Sequence, residues 1–271
     1  MIRLIAALIG AFFTLCLAIA FGTGLYSYIA EPPAKTVEAA FHKAPNEDFH
    51  LQSDGAFGTF DRQQLQRGFQ VYKEVCSACH AIGHVAFRDL KEIGYNDAEV
   101  KAIAAGFKVP VYNPATGEAK TRDGVPTDHF PPVVYGGQGT PPDLSLITKA
   151  RHGGPAYVHS LLTGYTDQPA ELLKKYPESK TPDGLFYNPY FANLNIAMPP
   201  PLASDGQVSY KDGTKATVDQ MATDAAAFLV WTAEPKLEKR HQTGWPVLGF
   251  LLFASVLAYM AYRNVWADKK H

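Results

Sequence analysis

Two stretches of the chain carry no charged residue, and they bracket everything else. The first runs 27 positions from Leu4 to Ala30, the second 21 positions from Gln242 to Tyr262. At about 1.5 Å rise per residue the second spans about 30 Å as a helix, the thickness of one hydrocarbon core. Trp245, Tyr259, Tyr262 and Trp266 stand near its ends like an interfacial belt, and Arg263, Lys269 and Lys270 follow. The expectation is a transmembrane helix over 244–264 with a cytoplasmic tail at 265–271. Lys236, Lys239 and Arg240 on the other flank weaken the charge argument, so orientation rests on the chemistry of the middle segment. Residues 1–30 read as an apolar helix, either a retained anchor or a signal peptide. Only Arg3 precedes the apolar run, no small-x-small cleavage site directly follows it, and it exceeds a usual signal core; retention is favoured.

Between these ends, helical periodicity comes in short runs. Leu65, Phe69 and Tyr72 recur at i, i+4 and i+7 and predict a helix over about 61–75, with Asp61 as N-cap. Gly68 inside it costs about 1 kcal/mol relative to Ala, which close approach by another helix would justify. Thr217 with Gln220 reads as a capping box. Behind it Met221, Ala225, Phe228, Leu229 and Trp231 form an apolar face, with Ala225 and Ala226 small enough for tight contact. Shorter helices are expected over 94–108, with Asp97 as cap, and over 155–164, ending at Gly164. Residues 31–59, rich in Pro, Gly and His, read as a surface arm without chemistry of its own, while 109–143, with many prolines and glycines and no sustained period, and 165–215 are expected as ordered loop.

Residues 31–243 carry 21 basic and 25 acidic residues, a net of −4. That section is long enough for one domain with its own core, and its mild acidity argues against nucleic acid.

The chemistry sits at Cys76-Ser77-Ala78-Cys79-His80. Two cysteines three apart followed by histidine are the attachment signature of a c-type haem. The thiols add to porphyrin vinyl groups as thioethers, and the adjacent imidazole serves the iron. A zinc site would need four ligands, and the only other cysteine, Cys16, lies in an apolar segment. A thioredoxin-like pair would need a βαβ surround, which is absent. Haem attachment also requires export, which places the middle segment at the outer face. A helix entering the haem motif and a crossing helix closing the domain are the frame of the class I cytochrome c fold.

The sixth ligand decides between electron transfer and catalysis. Met1 and Met260 lie at or in the apolar ends, and Met221 sits on a helix face where packing is the plainer role. Met198 stands in Ile196-Ala197-Met198-Pro199-Pro200-Pro201, where three prolines stiffen the loop. Its rivals are a packing role for Met198, and bis-histidine ligation through His84, His129, His152 or His159. With His80 and Met198 both bound, the iron has no open position, which suits a carrier. Arg151, beside Gly153 and Gly154, is a candidate partner for a haem propionate, and Tyr157 could add a hydroxyl. An ordinary surface arginine is the alternative.

Several segments carry a resemblance. Arg67-Gly68-Phe69-Gln70-Val71-Tyr72-Lys73-Glu74-Val75, Pro141-Pro142-Asp143-Leu144-Ser145, Ala150-Arg151-His152-Gly153-Gly154, Leu161-Leu162-Thr163-Gly164-Tyr165, Asn188-Pro189-Tyr190-Phe191 and Ala233-Glu234-Pro235 resemble the cytochrome c1 family, the haem subunits of cytochrome bc1 complexes. The likeness covers roughly residues 50–266. It implies one covalent haem c on Cys76 and Cys79, iron ligation by His80 and Met198, and approach of Arg151 and Tyr157 to a propionate. It implies electron transfer from the Rieske iron–sulfur protein to a soluble cytochrome c while cytochrome b oxidises quinol, inside a dimeric complex. Some bacterial members have an extra disulfide near the distal loop; this chain lacks the cysteines.

The expected fold is therefore mainly α: a class I cytochrome c-like haem domain over 31–243 with long loop insertions, a C-terminal transmembrane helix and an apolar N-terminal helix. The expected place is a bacterial inner membrane, haem domain on the periplasmic side. The role is that of an electron-transfer subunit of a quinol–cytochrome c reductase, without bond chemistry of its own. The alternative is a membrane-anchored c-type cytochrome of another respiratory or photosynthetic chain. Between His80 and Met198 the chain advances 118 positions, and these inserted loops are expected to form docking surfaces. The acidic balance would steer a basic carrier, an effect that salt screens.

Overall fold

The uncharged N-terminal run folds as one helix, α1 (Ile2–Ala30), exposed along its length, and a short α2 (Val37–Phe41) follows. These form one compact unit, residues 1–41; residues 42–271 form a second. The computed structural model describes residues 2–32, 35–112, 118–137 and 139–269. Met1, Lys270, His271 and, from the stretches expected as arm or loop, 33–34, 113–117 and 138 lie outside the described residues.

The second unit is mainly helical. α3 (Arg62–Glu74) begins where Asp61 Oδ1 accepts the amide protons of Gln63 and Gln64 at 2.9 and 3.3 Å. A 3₁₀ turn at Cys76–Ala78 and another at Phe87–Ile93 precede α4 (Asp97–Ala105). The cap of α4 is Asn96, not the expected Asp97. Asn96 Oδ1 accepts the Glu99 amide proton at 3.0 Å, and Glu99 accepts that of Asn96 at 2.8 Å. Within the span expected as loop, β1 (Lys108–Tyr112) pairs antiparallel with β2 (Ala119–Asp123). All but one of their residues are exposed, and only Val109 and Val111 of β1 alternate, too short a pattern to mark a strand. α5 (Ile147–Ala150) and α6 (Gly154–Thr163) follow, the latter capped by Gly164 as expected. The stretch expected as loop over 165–215 holds α7 (Ala170–Lys175) and a two-residue strand pair, β3 (Phe186–Tyr187) with β4 (Asn195–Ile196).

α8 (Val218–Ala233) lies across α3, and Gly68 is the point of closest approach. A Cβ added there would fall 2.0 Å from Asp224 O and 2.6 Å from Phe228 Cβ, so only glycine lets the backbones meet. Phe69, Tyr72, Phe87, Phe130, Phe228 and Trp231 fill the core around this crossing, with Phe87 and Phe130 centroids 4.3 Å apart. Met221 is fully buried among Val71, Leu202 and Val208, a packing role. Thr217 Oγ1 accepts the Gln220 amide proton at 3.0 Å. The Gln220 side chain, however, donates forward to Asp224 at 2.9 Å, so the expected capping box is half formed. Asp224 is fully buried and takes Arg67 bidentately at 3.0 and 3.2 Å, while Asp212 takes the third guanidinium nitrogen at 2.8 Å. α9 (Leu237–Val265) begins above the uncharged run and continues through it. Like α1, it is long and apolar enough to cross a membrane.

Candidate functional site

α3 delivers the cysteine pair. Past Val75 the chain tightens into the 3₁₀ turn, and the amides of Cys79 and His80 both donate to Cys76 O, at 3.1 and 2.9 Å. Cys76 packs against the aromatic core. Burial first, and then the neighbouring Cys79, push its thiol up to about 12. Neither thiol is tied up in a disulfide. Among the described residues no group of three His, Cys, Asp or Glu is placed to hold a metal ion, so the pair lacks the further ligands of a zinc site.

His80 is held at two points. Its carbonyl accepts the hydroxyl proton of buried Tyr72 at 3.1 Å, and its ring Nδ1 lies 2.7 Å from Pro142 O. A carbonyl oxygen only accepts, so Nδ1 carries the proton, and in the neutral ring Nε2 keeps its lone pair. Pro142 is placed by a strap, residues 141–145. Leu144 N–H donates to Ala81 O at 2.8 Å, Gly83 N–H donates to Asp143 Oδ2 at 2.7 Å, and His84 N–H donates to Ser145 Oγ at 3.0 Å. Burial opposes the charge on Asp143, yet hydrogen bonds from Ser145 and Gly83 outweigh it and hold the carboxyl below its usual range.

Met198 is half-buried on the loop after β4. Its carbonyl accepts the Tyr165 hydroxyl proton at 3.0 Å. The loop is pinned to the end of α6: buried Asn188 donates through Nδ2 to Leu161 O at 2.8 Å and accepts the Tyr190 amide proton at 3.1 Å. At Gly164 an added Cβ would sit 2.4 Å from the Tyr190 ring, so the turn closes only on glycine. Leu194, buried in the same loop, has φ of 66°, alone among described non-glycine residues in the left-handed region. A Cβ placed on Gly139 would lie 3.8 Å from the Ala197 methyl.

Arg151 is exposed and lies close enough to Tyr157 to act on its phenol. Burial raises the Tyr157 phenol, with Arg151 opposing. Tyr165 is raised by burial and then by its neighbour Tyr157. Of these three residues, Tyr165 is the one bonded to the Met198 segment, through its hydroxyl to Met198 O.

The other candidate histidines differ in exposure and partners. His84, His129 and His152 are exposed, and His129 Nδ1–H donates to Gly83 O at 3.0 Å. His159 is buried, donates from Nε2 to Asp219 at 3.0 Å and stacks on Phe49 at 4.5 Å. Sequence reasoning missed Tyr72, Pro142 and Tyr165 as supports. Each sits in a quoted segment, but a hydroxyl or carbonyl gives no sign of its partner.

The profile of the Cytochrome C1 family matches residues 51–269. A cytochrome c1 of Rhodospirillum rubrum is 42% identical over 234 residues, covering 80% of this chain and 86% of the relative. A cytochrome b/c1 of Bradyrhizobium diazoefficiens is 43% identical over 237 residues, 79% of this chain but 34% of that longer protein. A mitochondrial protein of Arabidopsis thaliana, named cytochrome c1 1, heme protein, is 38% identical over 258 residues, covering 92% of this chain and 81% of its own length.

Proposed function

Because the chain belongs to the cytochrome c1 family, we propose that it carries one haem c, attached through Cys76 and Cys79, as the electron-transfer subunit of a cytochrome bc1 complex. In this reading it takes electrons singly from the Rieske iron–sulfur protein and passes them to a soluble cytochrome c, while cytochrome b oxidises quinol. His80 and Met198 hold the iron, and Arg151 with Tyr157 meets a propionate. The observation that carries the reading is the bond from His80 Nδ1–H to Pro142 O at 2.7 Å, which fixes the ring and leaves Nε2 basic and free. Tyr165, holding the Met198 carbonyl, supports the thioether in the same way. An imidazole and a thioether on separately braced segments fit a six-coordinate haem iron. When bound, the haem would supply a one-electron ferric–ferrous couple, with His80 and Met198 as the residues that would hold its iron.

The domain over 31–243 then faces the periplasm of a bacterial inner membrane. The span at 244–264 and a retained helix at 1–30 anchor it, residues 265–271 lie on the cytoplasmic side, and the subunit works within a dimeric complex. Purification of the tagged chain from its native membranes tests the assignment. Cytochrome b and an iron–sulfur protein are expected to accompany it, and the oxidised form to show the near-infrared band of sulfur ligation. A haem protein that purifies alone, without that band, would overturn both partner and ligand assignments.

A further inference from the structure

The loop ahead of α3 is fastened to the start of α9. Phe60 N–H donates to Glu238 Oε1 at 2.7 Å, and Arg62 closes on the same carboxylate at 2.5 Å. One turn further along, His241 Nδ1–H donates to Gly58 O at 3.2 Å; next, Trp245 Nε1–H donates to Ala56 O at 3.3 Å. Gly58 makes the return possible, since a Cβ there would lie 2.0 Å from Ser53 O. At the tip, Phe57 stacks on Trp245 with centroids 4.8 Å apart and planes 8° from parallel. Yet Phe57 is 78% exposed and Trp245 46% exposed.

The level of this stack along α9 is what identifies its neighbour. Lys236, Glu238, Lys239 and Arg240 end the charged part of the helix, and Trp245 stands in the first turn of the uncharged run that opens at Gln242. From Glu238 to Trp245 is about 10 Å along the axis, so the change from ionic to lipid-compatible surface falls at this tryptophan. That is the headgroup depth, where amphipathic rings concentrate. Stacking holds Phe57 at the same depth, and Leu248, three residues on from Trp245 and so on the same side of α9, is exposed as well. The polar N–H of the indole is already satisfied within the protein, which leaves an apolar surface to be covered.

We propose that residues 54–58 form a second membrane contact beside α9, with Phe57 inserted next to Trp245 into the interfacial zone of a phospholipid bilayer. The bonds from Ala56, Gly58, Phe60 and Arg62 then make the helix a rigid post, and the height of Cys76–His80 above the lipid is set by the loop as well as by the span. The inference rests on α9 crossing the membrane.

The test uses the full haem-loaded chain with the iron reduced, in a Cys16→Ala background and in vesicles of palmitoyl-oleoyl phosphatidylcholine. Single nitroxides are placed through Ala56→Cys, which keeps the stack, through Val134→Cys as an aqueous reference and through Leu252→Cys as a mid-span reference. Power saturation by oxygen and by a water-soluble nickel chelate reads the depth. The Ala56 label is expected to show an oxygen-to-nickel ratio severalfold above that at Val134, and Phe57→Ser to return it to the Val134 value. A label at Ala56 that matches Val134 without any further change overturns the contact. A label shielded from both reagents overturns the lipid in favour of a protein cover. A Leu252 label without lipid exposure overturns the span and this contact with it.

Discussion

His80 Nδ1 lies 2.7 Å from the carbonyl oxygen of Pro142, a residue 62 positions further along the chain. The histidine belongs to the turn that α3 delivers, the proline to a strap with no regular structure. The bond fixes the tautomer of the ring, and the strap that supplies it is held by Asp143 through the amides of Gly83 and Ser145.

Asp143→Ala removes that acceptor and leaves two amides without it. The cost is expected at about 1–3 kcal/mol, the range for leaving part-buried donors unpaired. Denaturant unfolding of the haem-loaded chain measures it. A histidine released from Pro142 should also shift the midpoint potential, which an unchanged redox titration would contradict.

Met198→Leu should leave the haem attached, since neither cysteine is touched. The midpoint is expected to fall by on the order of a few hundred millivolts, within the ~0.8 V that axial ligands command. Tyr165→Phe is the gentler version, removing only the hydroxyl that holds the Met198 carbonyl. Losing one such bond costs about 1 kcal/mol, so cyanide affinity of the oxidised protein should rise roughly fivefold. Equal affinity in wild type and variant would show that the hydroxyl does not brace the thioether.

Arg151→Gln keeps length and polarity but removes charge. Because the guanidinium is exposed, its ionic contribution is about 1 kcal/mol or less. Haem content by pyridine haemochrome should drop, and the midpoint should fall by about 40 mV, the electrical equivalent of that energy. No change in either would return Arg151 to the role of a surface residue.

Gly68→Ala tests the helix crossing. The new methyl would meet Asp224 O, a backbone atom that cannot swing aside. Overpacking of this kind costs typically about 1–3 kcal/mol, and loss of the buried Arg67–Asp224 geometry would add to it. Thermal unfolding should show a clear drop, with haem still attached.

Acid sensitivity follows from two aspartates. Hydrogen bonds from the Arg122 side chain, then from the Val125 amide, hold Asp128 at about 2, and Asp143 is also held below its usual range. A carboxyl whose folded pKa lies below its unfolded value of about 3.9 adds stability above that value. The contribution is lost as pH falls through the folded pKa, so stability should decline between about pH 4 and pH 2. Asp128→Asn should flatten that decline in a urea series across this range.

What the sequence makes legible is what repeats or what covalent geometry dictates. α3, α6 and α8 announce themselves through one apolar face and a cap, and Gly68 through being wrong for a helix and right for a crossing. The β1–β2 pair is faint because Val109 alone among its residues turns towards the core. Asn96 and Asp97 are both competent caps, and only the reciprocal bond with Glu99 decides between them. At the site, Cys76, Cys79 and His80 stand at a spacing that attachment chemistry imposes. The partners of His80 and Met198, Pro142 and Tyr165, are chosen by how loops return, and no local pattern encodes a return.

The loop carrying Met198 has one more implication. The chain leaves the site at Tyr165 and comes back at Asn188, and its two ends are tied together where Asn188 holds Leu161 O and Tyr190 rests on Gly164. The stretch between, with α7, is an excursion closed at its own neck. Its length can therefore drift among homologous proteins, gaining or losing turns at the rim, while the sulfur stays where it is.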